Sequence, residues 1–284
     1  MNNLNIDFLS DISSKYDGIF CDIWGVLHNG LVAYENAAKA LKKYRENGGK
    51  VILITNASWN KQIIVQMLEN MEISRNAYDD IITSGDVTRD IIKKYKGGNI
   101  HHVGPNSDDE IFDGLGVNKS VPERAKAVVI TALDDYSQTP DDYKERLALW
   151  LELKLPLICT NPDKFVEVGG EIIYCPGALA DIYEQMGGKT IQAGKPFLPI
   201  YDAAFRIFKN AHGESAQNKK ILAIGDSVRT DATGAARTGL DFLFITGSIH
   251  AKEVADFGEN AQNEIVKMVA PSGVNMVAFQ ENLV

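Results

Sequence analysis

Short apolar runs that each end in a polar stretch, separated by segments with helical spacing, constrain this chain more than any other feature of its sequence. Ile19-Phe20-Cys21 runs into Asp22 and then a turn carrying Gly25. Val51-Ile52-Leu53-Ile54 runs into Thr55-Asn56, Asp80-Ile81-Ile82-Thr83 into Ser84-Gly85-Asp86, and Ile221-Leu222-Ala223-Ile224 into Gly225-Asp226. A strand buried on both faces of a parallel sheet reads as a continuous apolar run with its polar group at the carboxyl end. Strand alternating with helix at this spacing implies right-handed βαβ units. The fold class is therefore α/β, with a Rossmann-like core and a mostly parallel sheet.

The helical segments fill the gaps. Residues 34–47 place Ala37, Leu41 and Tyr44 on one face and stop at Gly48-Gly49. Helical spacing resumes at Ile63, Ile64 and Met67, then at Ile91 and Ile92, and again over 198–210. A short amphipathic helix is expected over 4–15, ahead of the Asp22 strand. Asp241-Phe242-Leu243-Phe244-Ile245-Thr246 reads as the last core strand, followed by polar helices.

The texture changes after about residue 97. Strands are expected over 100–103, 127–133 and 157–160, with a helix over 141–153. Turns fall at Gly169-Gly170 and Cys175-Pro176-Gly177, before a helix that stops near Gly187-Gly188. This middle third has its own α/β pattern. The expected organisation is a core domain over 1–84, a smaller inserted cap domain over 85–189, and the rest of the core over 190–284.

At 284 residues the chain can bury a real core, and its formal net charge of −9 argues against non-specific binding to nucleic acid or an anionic membrane. No apolar run reaches transmembrane length, and the start has no basic region followed by an apolar core. Cys21, Cys159 and Cys175 are few, odd in number and widely spaced, as buried thiols in a reducing compartment are. The expected location is cytoplasmic.

Four polar stretches at strand ends can meet at the edge of one sheet. Asp22 offers a nucleophile and a metal ligand. Thr55 and Asn56 offer a hydroxyl, an amide and backbone N–H groups ahead of a helix, which is a phosphate cradle. Lys195 offers a point charge for phosphate oxygens. Asp226 and Asp231 add carboxylates for a hard cation such as Mg²⁺, which takes one or two of them with phosphate and water. Each has a plainer reading alone: a helix cap for Asp226, a solvated helix residue for Asp231, an ordinary turn for Thr55-Asn56, a loop lysine for Lys195. The plainer account needs four coincidences in a workable order.

The ordered set Asp22, Thr55, Lys195 and Gly225-Asp226-x-x-x-Thr230-Asp231 resembles the haloacid dehalogenase superfamily of phosphohydrolases. The insert between Thr55 and Lys195, with Thr160-Asn161-Pro162-Asp163 and Pro176-Gly177-Ala178 inside it, resembles the class IIA branch, which carries an α/β cap. The resemblance implies that Asp22 attacks phosphorus while Thr55, Asn56 and Lys195 hold the phosphoryl group. It implies that Asp22, the backbone carbonyl of Trp24 and Asp226 ligate Mg²⁺, with Asp231 in or just behind the metal shell. The partner it implies is a small phosphorylated metabolite, a sugar phosphate or a nucleotide. Caps of this family often pair, which leaves a homodimer open.

One position departs from the family. Its phosphatases carry a second Asp two residues after the nucleophile, as acid for the leaving group and base for water; here that residue is Trp24. The indole is a donor only and does not titrate in this range. Trp24 can fill core, or line the site and stack on an aromatic substrate. His28, four residues on, has the ordinary titration range of a substitute acid or base, although a lone loop histidine is more often exposed. The alternatives are a metabolite-binding sensor of the same fold that lacks turnover, and an Asp-nucleophile reaction such as dehalogenation, which needs no leaving-group proton.

Overall fold

Strands β1 (Gly18–Cys21), β2 (Lys50–Thr55) and β3 (Asp80–Thr83) build the first half of one sheet. The computed structural model describes residues 3–168, 171–212 and 219–284. The insert supplies β4 (Asn99–Val103), β5 (Asn118–Lys119), β6 (Val128–Ile130) and β7 (Leu157–Cys159). A hairpin, β8 (Phe165–Val168) with β9 (Glu171–Tyr174), and then β10 (Thr190–Gln192) follow. The chain ends with β11 (Ile221–Gly225), β12 (Asp241–Ile245) and β13 (Asn275–Gln280).

These strands divide between two compact units. The first comprises residues 1–55, 64–82 and 201–284, and the second 56–63 and 83–200. The first holds a six-stranded sheet in the order β13-β12-β11-β1-β2-β3. Its central strand β1 pairs in parallel with β11 and β2, and every residue of β1 is buried. That burial on both faces is why Gly18-Ile19-Phe20-Cys21 carries no polar side chain. Register matters most: Cys21 lies opposite both Ile224 and Leu53. Asp22, Thr55 and Asp226 therefore emerge from three neighbouring strands at one carboxyl edge. The second unit holds a five-stranded sheet, β10-β7-β6-β4-β5, with parallel pairing throughout, and the separate antiparallel β8-β9 pair.

The helix expected over 34–47 is α2 (Glu35–Glu46), which buries Ala37, Ala38, Leu41 and Tyr44 as its spacing requires. Two expectations fail. The N-terminal segment is helical only at α1 (Ser10–Ser13); before it, Asn5 bridges in parallel to Phe279 and the Ile6 N–H donates to the Phe279 carbonyl. The open edge of β13 has unpaired backbone groups, and pairing there outweighs a marginal amphipathic helix. The stretch after 246 is not helix alone, because Asn275–Gln280 adds β13 beside β12. The Gly169-Gly170 turn lies outside the described residues.

The insert has an apolar core of its own. The residues over 141–153 form a short 3₁₀ turn, Pro140–Tyr143, running into a helix, Lys144–Glu152. The capping box between Thr139 and Asp142 fixes where it starts. Trp150 on this helix is fully buried among Val128, Ile130, Leu147, Leu157, Leu179 and Tyr183. Trp150→Ala is expected to destabilise the protein by about 3–5 kcal/mol through cavity formation. Chemical denaturation followed by circular dichroism would read the loss.

Candidate functional site

The first unit assembles a carboxylate cluster. Asp22 follows β1, and its backbone N–H donates to the Ile224 carbonyl at 2.9 Å, which pins it beside β11. Its own Oδ1 accepts from the Ile23 N–H at 2.7 Å. Asp226 directly follows β11 on the neighbouring strand. Asp231 returns to the same place because the chain makes a π-helical turn over Val228–Ala232, capped by the Ser227 side chain. Asp231 Oδ2 then accepts from the Ser227 N–H at 3.2 Å. All three are buried, and each offers an oxygen within 4.8 Å of the others. Two like charges about 4 Å apart repel by about 4 kcal/mol at an effective dielectric near 20. A hard divalent cation turns that repulsion into attraction, and an all-oxygen donor set is what Mg²⁺ takes. The residues fit the metal.

Gly25 explains the turn after Asp22. It sits at φ +80°, and a Cβ there would lie 2.0 Å from Asp226 Oδ2. Only glycine permits both the left-handed backbone and the approach of the carboxylate. The Gly25 N–H donates to the His28 carbonyl at 2.7 Å, so residues 24–33 close as a small clasp, with His28 bridging to Trp24 and to Ala33.

Trp24 and His28 occupy this clasp. Trp24 is partly exposed, unlike its buried neighbours Ile23 and Gly25, so it is not core filling. Its indole meets the His28 ring edge to face, with centroids 5.1 Å apart at 74°, and rests on Gly30, where a Cβ would lie 2.3 Å from Trp24 Cη2. His28 is not the exposed loop residue that its sequence context favours. It is fully buried, its Nδ1 accepts from the Gly30 N–H at 2.9 Å, and burial lowers its pKa to about 4. A histidine at about 4 is neutral near pH 7, so it has no acidic proton for a leaving group and is a weak base. The unfolded chain binds a proton on His28 below about 6.5 that the folded chain refuses until about 4. Stability from this residue is therefore complete above about 6.5 and falls as the pH drops towards 4. Denaturant titrations at pH 7 and pH 4.5 should show a smaller pH-dependent loss in His28→Phe than in the parent.

Tyr34, missed in the sequence, also borders the cluster. Its phenol is raised above the usual value by burial first and by the Asp226 charge second. Tyr34 shows in sequence only as the residue before a helix, which carries no hint of that neighbour.

Thr55 closes β2 and is buried in the first unit, whereas Asn56, the next residue, belongs to the second. There the structure joins Asn56 to Lys195. Asn56 Oδ1 accepts from the Lys195 N–H at 2.6 Å, and Asn56 Nδ2 donates to the Lys195 carbonyl at 3.1 Å. Both residues are buried. Asn56 Nδ2 also donates to Asp163 Oδ1 at 2.9 Å. The expected site residues thus fall into two groups: Asp22, Trp24, Thr55, Asp226 and Asp231 in one unit, and Asn56 with Lys195 in the other. The three cysteines are free and buried, and among the described residues no helix is long and apolar enough to cross a membrane.

Comparison with known proteins identifies the family. The family model for haloacid dehalogenase-like hydrolases matches residues 19–118, and a HAD-hydrolase-like model matches residues 192–271. The chain is 41% identical to a crystallised haloacid dehalogenase-like hydrolase from Brucella suis 1330, covering 98% of this chain and 100% of that one, with a TM-score of 0.87. It is 27% identical over 237 residues to the sugar-phosphatase AraL of Bacillus subtilis (strain 168), covering 81% of this chain and 84% of the relative. It is 21% identical over 240 residues to the 5'-nucleotidase YutF of the same organism, covering 84% and 90% respectively. With an α/β body inserted in sequence between the two halves of its parallel-sheet core, this chain belongs to the class IIA branch of the haloacid dehalogenase-like hydrolase family.

Proposed function

We propose that the protein is a Mg²⁺-dependent phosphohydrolase that acts on a small phosphorylated metabolite, of the sugar phosphate or nucleotide class, through an aspartyl-phosphate at Asp22. The observation that carries this reading is the trio of buried carboxylates at the carboxyl edge of the first sheet. The sugar phosphatase and nucleotidase among its relatives support the substrate class. Asp22, the Trp24 carbonyl and Asp226 would hold Mg²⁺, with Asp231 beside them or just behind. The ion would neutralise phosphate charge and align the phosphoryl group for attack.

An Asp22 carboxylate oxygen forms a bond to phosphorus as the phosphorus–oxygen bond to the leaving group breaks. Thr55, Asn56 and Lys195 hold the phosphoryl oxygens. Water then attacks phosphorus, releasing inorganic phosphate and restoring Asp22. Residues 85–189 act in this reading as the cap domain, whose loops choose the substrate. The chemistry asks for a reducing, cytoplasmic setting no more than for another, but three buried free thiols favour it.

Two experiments test this. A screen of phosphorylated metabolites with and without Mg²⁺ should give metal-dependent phosphate release; silence across the screen would favour a binding sensor. Calorimetric titration of Mg²⁺ into Asp226→Asn should show the binding of the parent lost, at least tenfold weaker. Equal affinity would remove Asp226 from the metal site.

A further inference from the structure

We propose that Asp163 is a positioning residue that fixes the phosphate-binding pair Asn56 and Lys195 through the Asn56 amide; this rests on the role just given to that pair. The Thr160-Asn161-Pro162-Asp163 stretch follows β7 in the second unit and has no part in the chemistry so far. Its geometry points at one task. Asp163 Oδ1 accepts from Asn56 Nδ2 at 2.9 Å, and a carboxylate can only accept. That contact forces the amide nitrogen of Asn56 towards Asp163 and leaves its oxygen for the Lys195 N–H. The same Asn56 nitrogen reaches the Lys195 carbonyl, so the amide grips both ends of residue 195. An amide turned the other way would set two acceptors against each other at Asp163 and two donors at the Lys195 N–H. Asp163 therefore selects the one orientation of Asn56 that seats Lys195.

The support behind Asp163 is built in the same way. Its backbone N–H donates to Asn161 Oδ1 at 2.9 Å, closing a tight turn. The turn packs on Gly177, where a Cβ would lie 2.2 Å from the Pro162 carbonyl oxygen and 2.5 Å from that of Asp163. At the other end of the stretch, the Thr160 hydroxyl donates to Ser58 Oγ at 2.6 Å, and the Ser58 hydroxyl donates to the Thr131 carbonyl at 2.7 Å. One turn thus holds Asn56 and Ser58, on either side of Ala57. The sequence pairs that resemble the family, Thr160 to Asp163 and Pro176 to Ala178, are the two halves of this support.

The test is inhibition of p-nitrophenyl phosphate hydrolysis by inorganic phosphate, with KM and kcat measured per folded molecule. Asp163→Ala should raise the inhibition constant of phosphate and KM by about tenfold, as expected when a charge-assisted contact that orders a binding group is lost. Asp163→Asn should recover most of this, because its amide oxygen can still accept from Asn56. A purely structural role would lower the melting temperature and leave both constants unchanged. Should the alanine variant not fold, Asp163→Ser keeps a polar turn residue but falls short of Asn56, and the same rise is expected. Unchanged constants in the alanine or serine variant overturn the proposal. Lys195→Ala separates the two levels: if it weakens phosphate inhibition while Asp163→Ala does not, only the positioning role fails. If Lys195→Ala also leaves inhibition unchanged, the phosphate-binding role fails and takes the positioning role with it.

Discussion

Asp22→Asn is expected to lower the rate of phosphate release by about 10⁶-fold, the scale seen when a covalent nucleophile is removed from a hydrolase. Asparagine keeps the size of the side chain and an oxygen for the Ile23 N–H. Melting curves of the variant and the parent, measured beside the rates, separate lost chemistry from unfolding. A residual rate within tenfold of the parent would take Asp22 out of the nucleophile's role.

The second large effect belongs to Trp24. Where the resemblance to the family implies an acid–base carboxylate, this chain has Trp24, whose indole packs against His28 and Gly30. Burial holds the His28 imidazole neutral near pH 7, without an acidic proton to give. Attack at phosphorus can proceed with charge neutralisation and alignment alone, but an alkoxide leaving group needs a proton. Missing acid catalysis is worth about 10²–10⁴-fold. Nitrophenyl phosphate and acyl phosphates should therefore outperform sugar phosphates by about that factor, relative to a family enzyme with the second Asp. Water attack on the phosphoenzyme also lacks its base, so the phosphoenzyme should build up. Rates across a series of phosphate esters check this, and a flat dependence on leaving-group pKa would mean that another residue supplies the proton.

The parts of this molecule that were legible in its sequence share a cause. Parallel strands buried on both faces leave continuous apolar runs, so β1, β2, β3 and β11 could be placed within a residue or two. Their polar ends then put Asp22, Thr55 and Asp226 on one edge. Asp231 needed more than periodicity, since a π-helical turn and not a regular helix brings it back beside Asp226. What was not legible depends on contacts between distant segments. Nothing local to Leu4 or Asn5 says that the edge of β13 will claim them. The alternation in Phe165-Val166-Glu167-Val168 and Glu171-Ile172-Ile173-Tyr174 is too short to separate a hairpin from loop. His28 has the composition of an exposed turn, followed as it is by Asn29-Gly30, yet the clasp over Trp24 buries it. Asp163 lies 107 residues from the amide it orients.

The most direct measurement is a rapid acid quench of the protein during turnover of nitrophenyl phosphate with Mg²⁺, followed by mapping of the phosphorylated peptide. The account predicts a phosphoryl group on Asp22 that is labile to hydroxylamine, forms faster than it decays, and is absent from Asp22→Asn. Steady turnover with no phosphorylated peptide at any quench time, or with the phosphoryl group on another residue, would contradict it.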